Sequence, residues 1–225
     1  MNKYIIIVAG GKGVRTGWDL PKQFLLLNGR PVLMHTITAF YDYDPVIRII
    51  LVLPEDYTAH WSQLCADFKF NIPCQVVTGG NARFYSVRRG LEKVERGALV
   101  GVHDGVRPLI DRQLIAKVYD TAAERKGAYP VIPLVDSIRE LENPEESHPA
   151  DRSKYRLVQT PQVFWSDVLI DAYKQEYRDD FTDDVSVVEA TRTIRPVMVE
   201  GNRENIKITA AVDLMIAETL MKCRI

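Results

Sequence analysis

Residues 4–15 read YIIIVAGGKGVR, an apolar run that ends in three glycines and two cations. The run at residues 4–8 is rich in β-formers and predicts a strand, and glycine-rich loops after such strands hold phosphate in many α/β proteins. Because glycine lacks Cβ, the loop can adopt positive φ angles and its N–H groups can approach a ligand closely. Together with Lys12, Arg15 and the nearby Lys22, this loop suits a polyphosphate such as a nucleoside triphosphate.

Two common phosphate loops do not match this stretch. A Walker A loop needs Ser or Thr after its lysine, whereas Gly13 follows Lys12. A dinucleotide loop needs a third glycine where Thr16 stands, and an acidic residue after a second strand, where residues 28–31 read NGRP. A dinucleotide site and a ligand-free turn are the alternatives, and the glycines with their cations favour the polyphosphate.

The composition is that of an ordinary globular protein. The chain has 225 residues, of which 46% are hydrophobic and 26% charged, with a net charge of −1. We expect one domain over residues 1–225 and no general affinity for nucleic acid or membranes. Three cysteines without a C-x-x-C pair predict reduced thiols and a cytoplasmic protein. The first apolar run is too short for a signal peptide or a membrane span.

Short apolar runs alternate with helical patterns along the chain. Strands are predicted at residues 5–8, 47–53, 74–77, 99–103, 128–132 and 196–199, with an extended piece at 157–164. Helices are predicted at residues 32–41, 55–68, 82–95, 112–126, 166–177 and 210–221, with a short one opened by Thr182 as N-cap. This alternation predicts an α/β fold, a Rossmann-like, mostly parallel sheet with helices on both faces.

Ligands of such sheets bind beyond the carboxyl ends of the strands. The glycine loop after the first strand, Gly79-Gly80 after the third and Asp104 after the fourth all fall at such ends. We therefore expect these loops to form one site. Residues 136–156 break the alternation because they are rich in charge and contain Pro144 and Pro149, which predicts a projecting β-arm. A mobile surface loop is the alternative for this segment.

Five further motifs follow the loop in order. They are GGxxRxxSV at 79–87, HDGVRP at 103–108, TPQxF at 160–164, TDD at 182–184 and EGxxxNIKIT at 200–209. With AGGxGxR at 9–15 and PKQ at 21–23, this set resembles the 2-C-methyl-D-erythritol 4-phosphate cytidylyltransferase family over residues 3–221. The resemblance implies that CTP and the polyol phosphate give a cytidine diphosphate derivative and pyrophosphate. Mg²⁺ bridging the triphosphate would lower charge repulsion in such a reaction.

The resemblance also implies roles for single residues. The positions matching catalytic cations are Arg15, Lys22, Arg152 and Lys207. Those matching the CTP site are Ala9, Gly10, Gly11, Gly13, Gly80, Asn81 and Ser86. Those matching the polyol phosphate pocket are Asp104, Arg107, Ser137, Thr160 and Thr182. Asp104 could instead bind Mg²⁺ or cap a helix, Asp183 is expected to cap a helix, and His103 is expected to pack rather than to catalyse.

The chain departs from the family pattern at three places. Asn81 stands where relatives commonly carry Asp, Ser137 where they often carry Thr, and Gly10 where the usual opening is Ala-Ala-Gly. The amide, the hydroxyl and the backbone can still serve the expected contacts. The resemblance further implies a homodimer whose exchanged arms bring Arg152 into the neighbouring site. The alternatives are a ribitol 5-phosphate cytidylyltransferase, a nucleotide-binding regulator without catalysis and a redox enzyme.

Overall fold

The first apolar run forms a central strand, as its sequence predicts. In this computed structural model, which describes residues 1–11 and 20–223, Lys3–Val8 pairs with one parallel neighbour on each side. The strands of the described chain are β1 Lys3–Val8, β2 Leu26–Leu27, β3 Arg30–Pro31, β4 Arg48–Leu53, β5 Gln75–Thr78, β6 Leu99–Asp104, β7 Gly127–Pro133, β8 Ile138–Leu141, β9 Ser147–Ala150, β10 Arg156–Val158, β11 Gln162–Trp165 and β12 Val197–Glu200. The α-helices are α1 Val32–Tyr43, α2 Thr58–Asp67, α3 Arg83–Leu91, α4 Arg112–Arg125, α5 Ser166–Ala172, α6 Asp184–Ala190 and α7 Ala211–Cys223.

The main sheet has the order β10-β7-β11-β6-β1-β4-β5, and β12 also pairs with β7. Strands β6, β1, β4 and β5 are parallel to one another, and β12 is parallel to β7. The predicted extended piece at 157–164 contributes β10 and β11, and both run antiparallel to their neighbours. The α/β fold with a mostly parallel sheet is therefore confirmed, and antiparallel strands lie between and beside β6 and β7.

Successive side chains of β1 point to opposite faces of the sheet, and each face has its own hydrophobic core. Ile5 and Ile7 pack on the face that α1 and α4 cover, whereas Tyr4 and Ile6 pack on the face that α3 and α5 cover. These side chains are 2% exposed or less. The prediction of helices on both faces is confirmed. A strand that is covered on both sides is apolar at consecutive positions, because side chains on both of its sides are buried.

The ends of two helices were predicted several residues too late. The helix expected at 82–95 ends at Leu91. The helix expected at 166–177 ends at Ala172, because Tyr173 turns inward to stack on Phe84 with ring centroids 4.7 Å apart. The N-cap of α6 is Asp183, the residue expected to cap a helix, and not Thr182. The Asp183 carboxylate accepts the N–H of Ser186, and the Ser186 hydroxyl accepts the N–H of Asp183, which forms a capping box.

The segment 136–156 contains a small separate hairpin. β8 and β9 pair antiparallel with one another and form their own two-stranded sheet. Arg139 Nε donates to Ser147 Oγ at 2.6 Å across the hairpin. In the described part of the chain, no helix is long and apolar enough to cross a membrane. Cys65 and Cys74 pack against the core, as expected.

Candidate active site

A cleft of about 510 Å³ lies beyond the carboxyl ends of β1, β5 and β6, within the size range of small-molecule sites. Its lining includes the predicted residues Ala9, Gly10, Gly11, Lys22, Gly80, Asn81, Ser86, Asp104 and Lys207. The prediction that three separate loops converge on one side is therefore confirmed, because all three line the same cleft. The fold explains this grouping, because parallel strands place their following loops at the same edge of a sheet.

Gly10 and Gly11 keep this edge of the cleft free of side chains. Neither adopts a positive φ, so their need for glycine does not come from backbone strain. A Cβ at Gly11 would meet no described atom within 4 Å, and one at Gly10 would meet only Ser86 Oγ, at 3.8 Å. Among the described residues, the space beside both glycines is open, which leaves room for a ligand to approach the backbone closely.

Gln23 fixes the start of this loop from behind. Its Nε2 donates to the carbonyl oxygen of Ala9 at 2.7 Å and more weakly to that of Gly11 at 3.4 Å. The side chain is 2% exposed, and the adjacent Lys22 lines the cleft. The PKQ motif thus supplies a cation to the cleft and a buried brace for the glycine loop.

Gly80, Asn81 and Ser86 form another part of the cleft lining. Ser86 Oγ accepts the N–H of Gly80 and donates to the carbonyl of Ala82, both at 3.1 Å, which ties the loop to the start of α3. A Cβ at Gly80 would lie 2.4 Å from Cβ of Tyr85. Glycine is therefore required here by packing within the protein. Asn81 is exposed at the cleft, so its amide is open to a ligand.

Asp104 lies at the centre of a group of cations. Its Oδ2 is 3.1 Å from Lys207 Nζ and 3.2 Å from Arg107 Nε, and its Oδ1 is 3.9 Å from Arg83 Nε. Burial alone would raise the pKa of Asp104, but Arg83, Lys207 and Arg107 outweigh it and hold the pKa well below its usual range. Asp104 is therefore a carboxylate at neutral pH that orients cations from two distant chain segments.

His103 and Thr160 support Asp104 from below. Thr160 Oγ1 accepts the N–H of Asp104 at 3.1 Å and lies 3.0 Å from His103 Nδ1. His103 Nε2 lies 3.1 Å from the carbonyl oxygen of Arg107, which can only accept, so Nε2 carries the proton and Nδ1 accepts from Thr160. Burial lowers the pKa of His103 to about 4. His103 is a neutral, packed residue, as expected.

A second carboxylate holds Arg83 at the side of the cleft. Arg83 Nη1 and Nη2 donate to Asp184 Oδ1 and Oδ2 at 3.0 and 2.6 Å, and the Tyr173 hydroxyl donates to Asp184 Oδ1 at 2.6 Å. Burial opposes the charge on Arg83, but Asp184 outweighs it and raises the pKa of the guanidinium. Burial and Asp184 also keep the pKa of Tyr173 well above its ordinary value, so its hydroxyl remains a donor.

Several predicted site residues lie away from the cleft surface. Arg107 and Thr160 are buried behind Asp104 and bind it directly. Ser137, Arg152 and Thr182 are exposed and are not part of the cleft lining. Gly13 and Arg15 lie outside the described residues.

Sequence reasoning did not assign roles to Gln23, Arg83 or Asp184. The first two stood inside quoted motifs, so their position in PKQ and GGxxRxxSV was the available signal. Asp184 stood in the TDD motif, but its partner Arg83 is 101 residues away in sequence. No local pattern links two positions so far apart.

The described residues do not fit a metal held by the protein. They contain no group of three or more His, Cys, Asp or Glu side chains placed to hold a metal ion. Asp104, the carboxylate considered for that role, already has two cations within 3.2 Å on one oxygen. Arg83 also lies 3.9 Å from the other oxygen, so a divalent ion there would share the carboxylate with three cations.

The α/β fold, the glycine loop and the cations of the cleft define a nucleotidyltransferase. A sequence model described as IspD: 2-C-methyl-D-erythritol 4-phosphate cytidylyltransferase matches residues 4–223. The chain therefore belongs to the IspD family, whose members are cytidylyltransferases.

Individual relatives agree with this family. The chain is 51% identical over 219 residues to the 2-C-methyl-D-erythritol 4-phosphate cytidylyltransferase of Azobacteroides pseudotrichonymphae, covering 97% of this chain and 98% of that protein. It is 51% identical to the protein of that name from Phocaeicola vulgatus, covering 98% and 100%. A crystal structure of the Thermus thermophilus protein of that name superposes with a TM-score of 0.80 at 31% identity, covering 99% of this chain and all of that one.

Proposed function

We propose that this protein transfers a cytidylyl group from CTP to 2-C-methyl-D-erythritol 4-phosphate. The observation that carries the proposal is the cleft that the glycines at 10 and 11, the Gly80–Asn81 segment and the Asp104–Lys207 pair line together. Family membership supports the same reaction. A phosphate oxygen of the polyol attacks the α-phosphorus of CTP; the bond from that phosphorus to the bridging oxygen breaks, and pyrophosphate leaves with the electron pair.

The proposed roles follow from what each side chain can do. The backbone at Gly10 and Gly11 lies against the triphosphate, and Gly80, Asn81 and Ser86 hold the cytidine. Lys22 neutralises charge at the phosphates, together with Arg15. Lys207, oriented by Asp104, binds the phosphate of the incoming polyol. Such chemistry depends on positioning and charge neutralisation more than on covalent participation of the protein.

Asp104 acts in this proposal by orienting cations. Its contacts with Lys207 and Arg107 favour that role over a metal ligand. Mg²⁺ enters the proposal only as a counter-ion that the triphosphate itself carries, and the residues described here supply no step through it. The cytoplasmic location expected from the unpaired cysteines stays a prediction.

The direct test is turnover with two polyol phosphates. Purified protein is mixed with CTP, Mg²⁺ and either 2-C-methyl-D-erythritol 4-phosphate or ribitol 5-phosphate, and pyrophosphate release is followed. We expect a clear preference, in kcat/KM, for the methylerythritol compound. A preference for ribitol 5-phosphate, or no pyrophosphate from either, would overturn the proposal.

We also propose a homodimer in which residues 1–225 form one nucleotidyltransferase domain and the 136–156 arm is exchanged. Ser137 and Arg152 are exposed, and Arg152 donates within its own chain to the carbonyl of Val135 rather than towards the cleft. Both side chains are therefore accessible to complete the site of a second subunit, with Arg152 binding the polyol phosphate.

Mixing two inactive variants tests arm exchange. In a hybrid of Lys207→Gln and Arg152→Gln subunits, exchange leaves one of two sites with both native cations. Random equal mixing should then recover about a quarter of the native activity, since half of the dimers are hybrids. Each variant alone is the control. No recovery after subunit exchange, or full turnover by a sedimenting monomer, contradicts the proposal.

A further inference from the structure

Arg83 lies between the carboxylates of Asp184 and Asp104 and binds the first more closely than the second. Both ends of its guanidinium fork bind Asp184, at 3.0 and 2.6 Å, whereas only Nε faces Asp104, at 3.9 Å. The Asp184 side chain is fully buried, and that of Arg83 is 30% exposed and lines the cleft. A forked guanidinium–carboxylate pair of this kind is the stronger and more directional of the two arrangements.

Asp184 is itself held rigidly. It is the first residue of α6, directly after the N-cap Asp183. Its backbone N–H donates to Gln162 Oε1 at 2.9 Å, and its carboxylate accepts the Tyr173 hydroxyl. These contacts fix the direction in which Asp184 presents its carboxylate, and so fix the plane of the Arg83 guanidinium.

The alternative partner for that fork is Asp104. If Asp184 lost its charge, Arg83 would remain a partly buried cation whose nearest described carboxylate is Asp104. A buried charge that loses its partner is strongly unfavourable, so the fork would turn towards Asp104. Lys207 and Arg107 share one oxygen of that carboxylate, and Lys207, with a side chain that is 46% exposed, is the cation most easily displaced.

We propose that Asp184 is a positioning residue of the active site: by binding both ends of the Arg83 fork, it keeps Asp104 paired with Lys207. This inference rests on the proposed function, because the incoming polyol phosphate is the group that Lys207 is expected to bind. Asp184 acts through Arg83 and Asp104 and makes no contact with substrate.

The test measures KM and kcat for the wild type, Asp184→Asn and Tyr173→Phe. Asp184→Asn should raise the KM for the polyol phosphate about tenfold, within the range of couplings found inside one ion-pair network. The KM for CTP should change much less. Tyr173→Phe removes one bond to the same carboxylate but leaves its charge and its pairing with Arg83, so it should lower Tm and raise the KM for the polyol phosphate far less than Asp184→Asn does. Equal effects of the two variants on that KM would show a merely structural role and overturn the inference.

A second substitution provides the decisive comparison. Since the harm in Asp184→Asn comes from the released fork, adding Arg83→Gln should lower the KM for the polyol phosphate again. Should Asp184→Asn fail to fold, the double variant is compared with Arg83→Gln alone. The double variant and Arg83→Gln must then have the same KM for the polyol phosphate. A higher KM in the double variant overturns the inference. Absence of turnover by the wild type would instead refute the proposed function.

Discussion

The cleft and the 136–156 hairpin both carry predicted site residues, but they hold them in different ways. Asp104 is 8% exposed and is bound by side chains from α3, from the turn after β6 and from the segment before α7. Ser137 and Arg152 are exposed, and the hairpin beside them is tied mainly by its own residues, such as Arg139 and Ser147. One region is thus preorganised within a single chain, whereas the other has side chains accessible to a partner.

The largest expected effect tests the preorganised region. Lys207→Gln should lower kcat/KM for the polyol phosphate by about 10²- to 10³-fold, the usual cost of losing one preorganised charged or polar group. CTP affinity, measured by calorimetry, should change little because the glycine loop is intact. Lys207→Arg is the matched control and should retain part of the activity. An unchanged kcat/KM in Lys207→Gln would mean that the Asp104 cluster does not position the substrate.

The next effect concerns the acid sensitivity of the cleft. The pKa of His103 is about 4 in the folded protein, below its ordinary 6.5, so the unfolded chain binds the proton first as pH falls. The contribution of His103 to the free energy of unfolding should therefore be fully present above pH 6.5. It should decrease by up to ~3 kcal/mol as the pH falls from 6.5 to 4. Urea unfolding at several pH values, compared with His103→Gln, measures it. The exposed His148→Gln is the control, and an identical slope in His103→Gln would contradict the account.

Alanine substitutions at Gly80 and Gly11 distinguish a glycine needed for packing within the protein from one needed for close approach of a ligand. Gly80→Ala places a methyl group against Tyr85 and should cost about 1–3 kcal/mol of stability by overpacking. Gly11→Ala places it where no described atom lies within 4 Å, so Tm should hold while the KM for CTP rises about tenfold, or ~1.4 kcal/mol. Thermal melts and steady-state kinetics of both variants decide the point. A large loss of Tm in Gly11→Ala would show that the loop is limited by protein packing.

The smallest effect is expected in the hairpin. Arg139→Ala removes two bonds to Ser147 at the surface and should change the free energy of unfolding by no more than about 0.5 kcal/mol. Chemical denaturation is the measurement, and turnover should remain at the native level. A loss of several kcal/mol would place the hairpin in the cooperative core and remove the contrast with the cleft.

The sequence predicted those parts whose signal is local. The buried strands, the glycine loops at their ends and the packed His103 follow from apolar runs and turn residues near each other in the chain. The length of α5 could not be predicted from local sequence, because it depends on contacts of Tyr173 with Phe84 and Asp184. At the start of α6, Thr182 and Asp183 are both good N-caps, and only the reciprocal bonds with Ser186 identify Asp183, which was expected to cap a helix, as the N-cap.

In the candidate site, too, residues in local motifs were predicted, whereas contacts between distant chain segments were not. The cleft lining was predicted where a motif presents backbone or cations directly, as at Gly10 and Lys207. The Arg83–Asp184 pair was not, because ion pairs across 101 residues leave no periodicity. Thr160 was assigned to the substrate, but its hydroxyl binds Asp104 and His103, a buried network that depends on how β6 meets the segment before β11.

Gln23 has a consequence for the kind of ligand that the cleft admits. By drawing the Ala9 carbonyl oxygen to itself, it turns the acceptor end of that trans peptide inward, so the N–H of Gly10 points the opposite way. The peptide group is a dipole, and its positive end then faces the side away from the brace. A single buried amide side chain thereby sets the polarity of the peptide between Ala9 and Gly10 at the cleft, and that peptide favours an anion over a cation beside it.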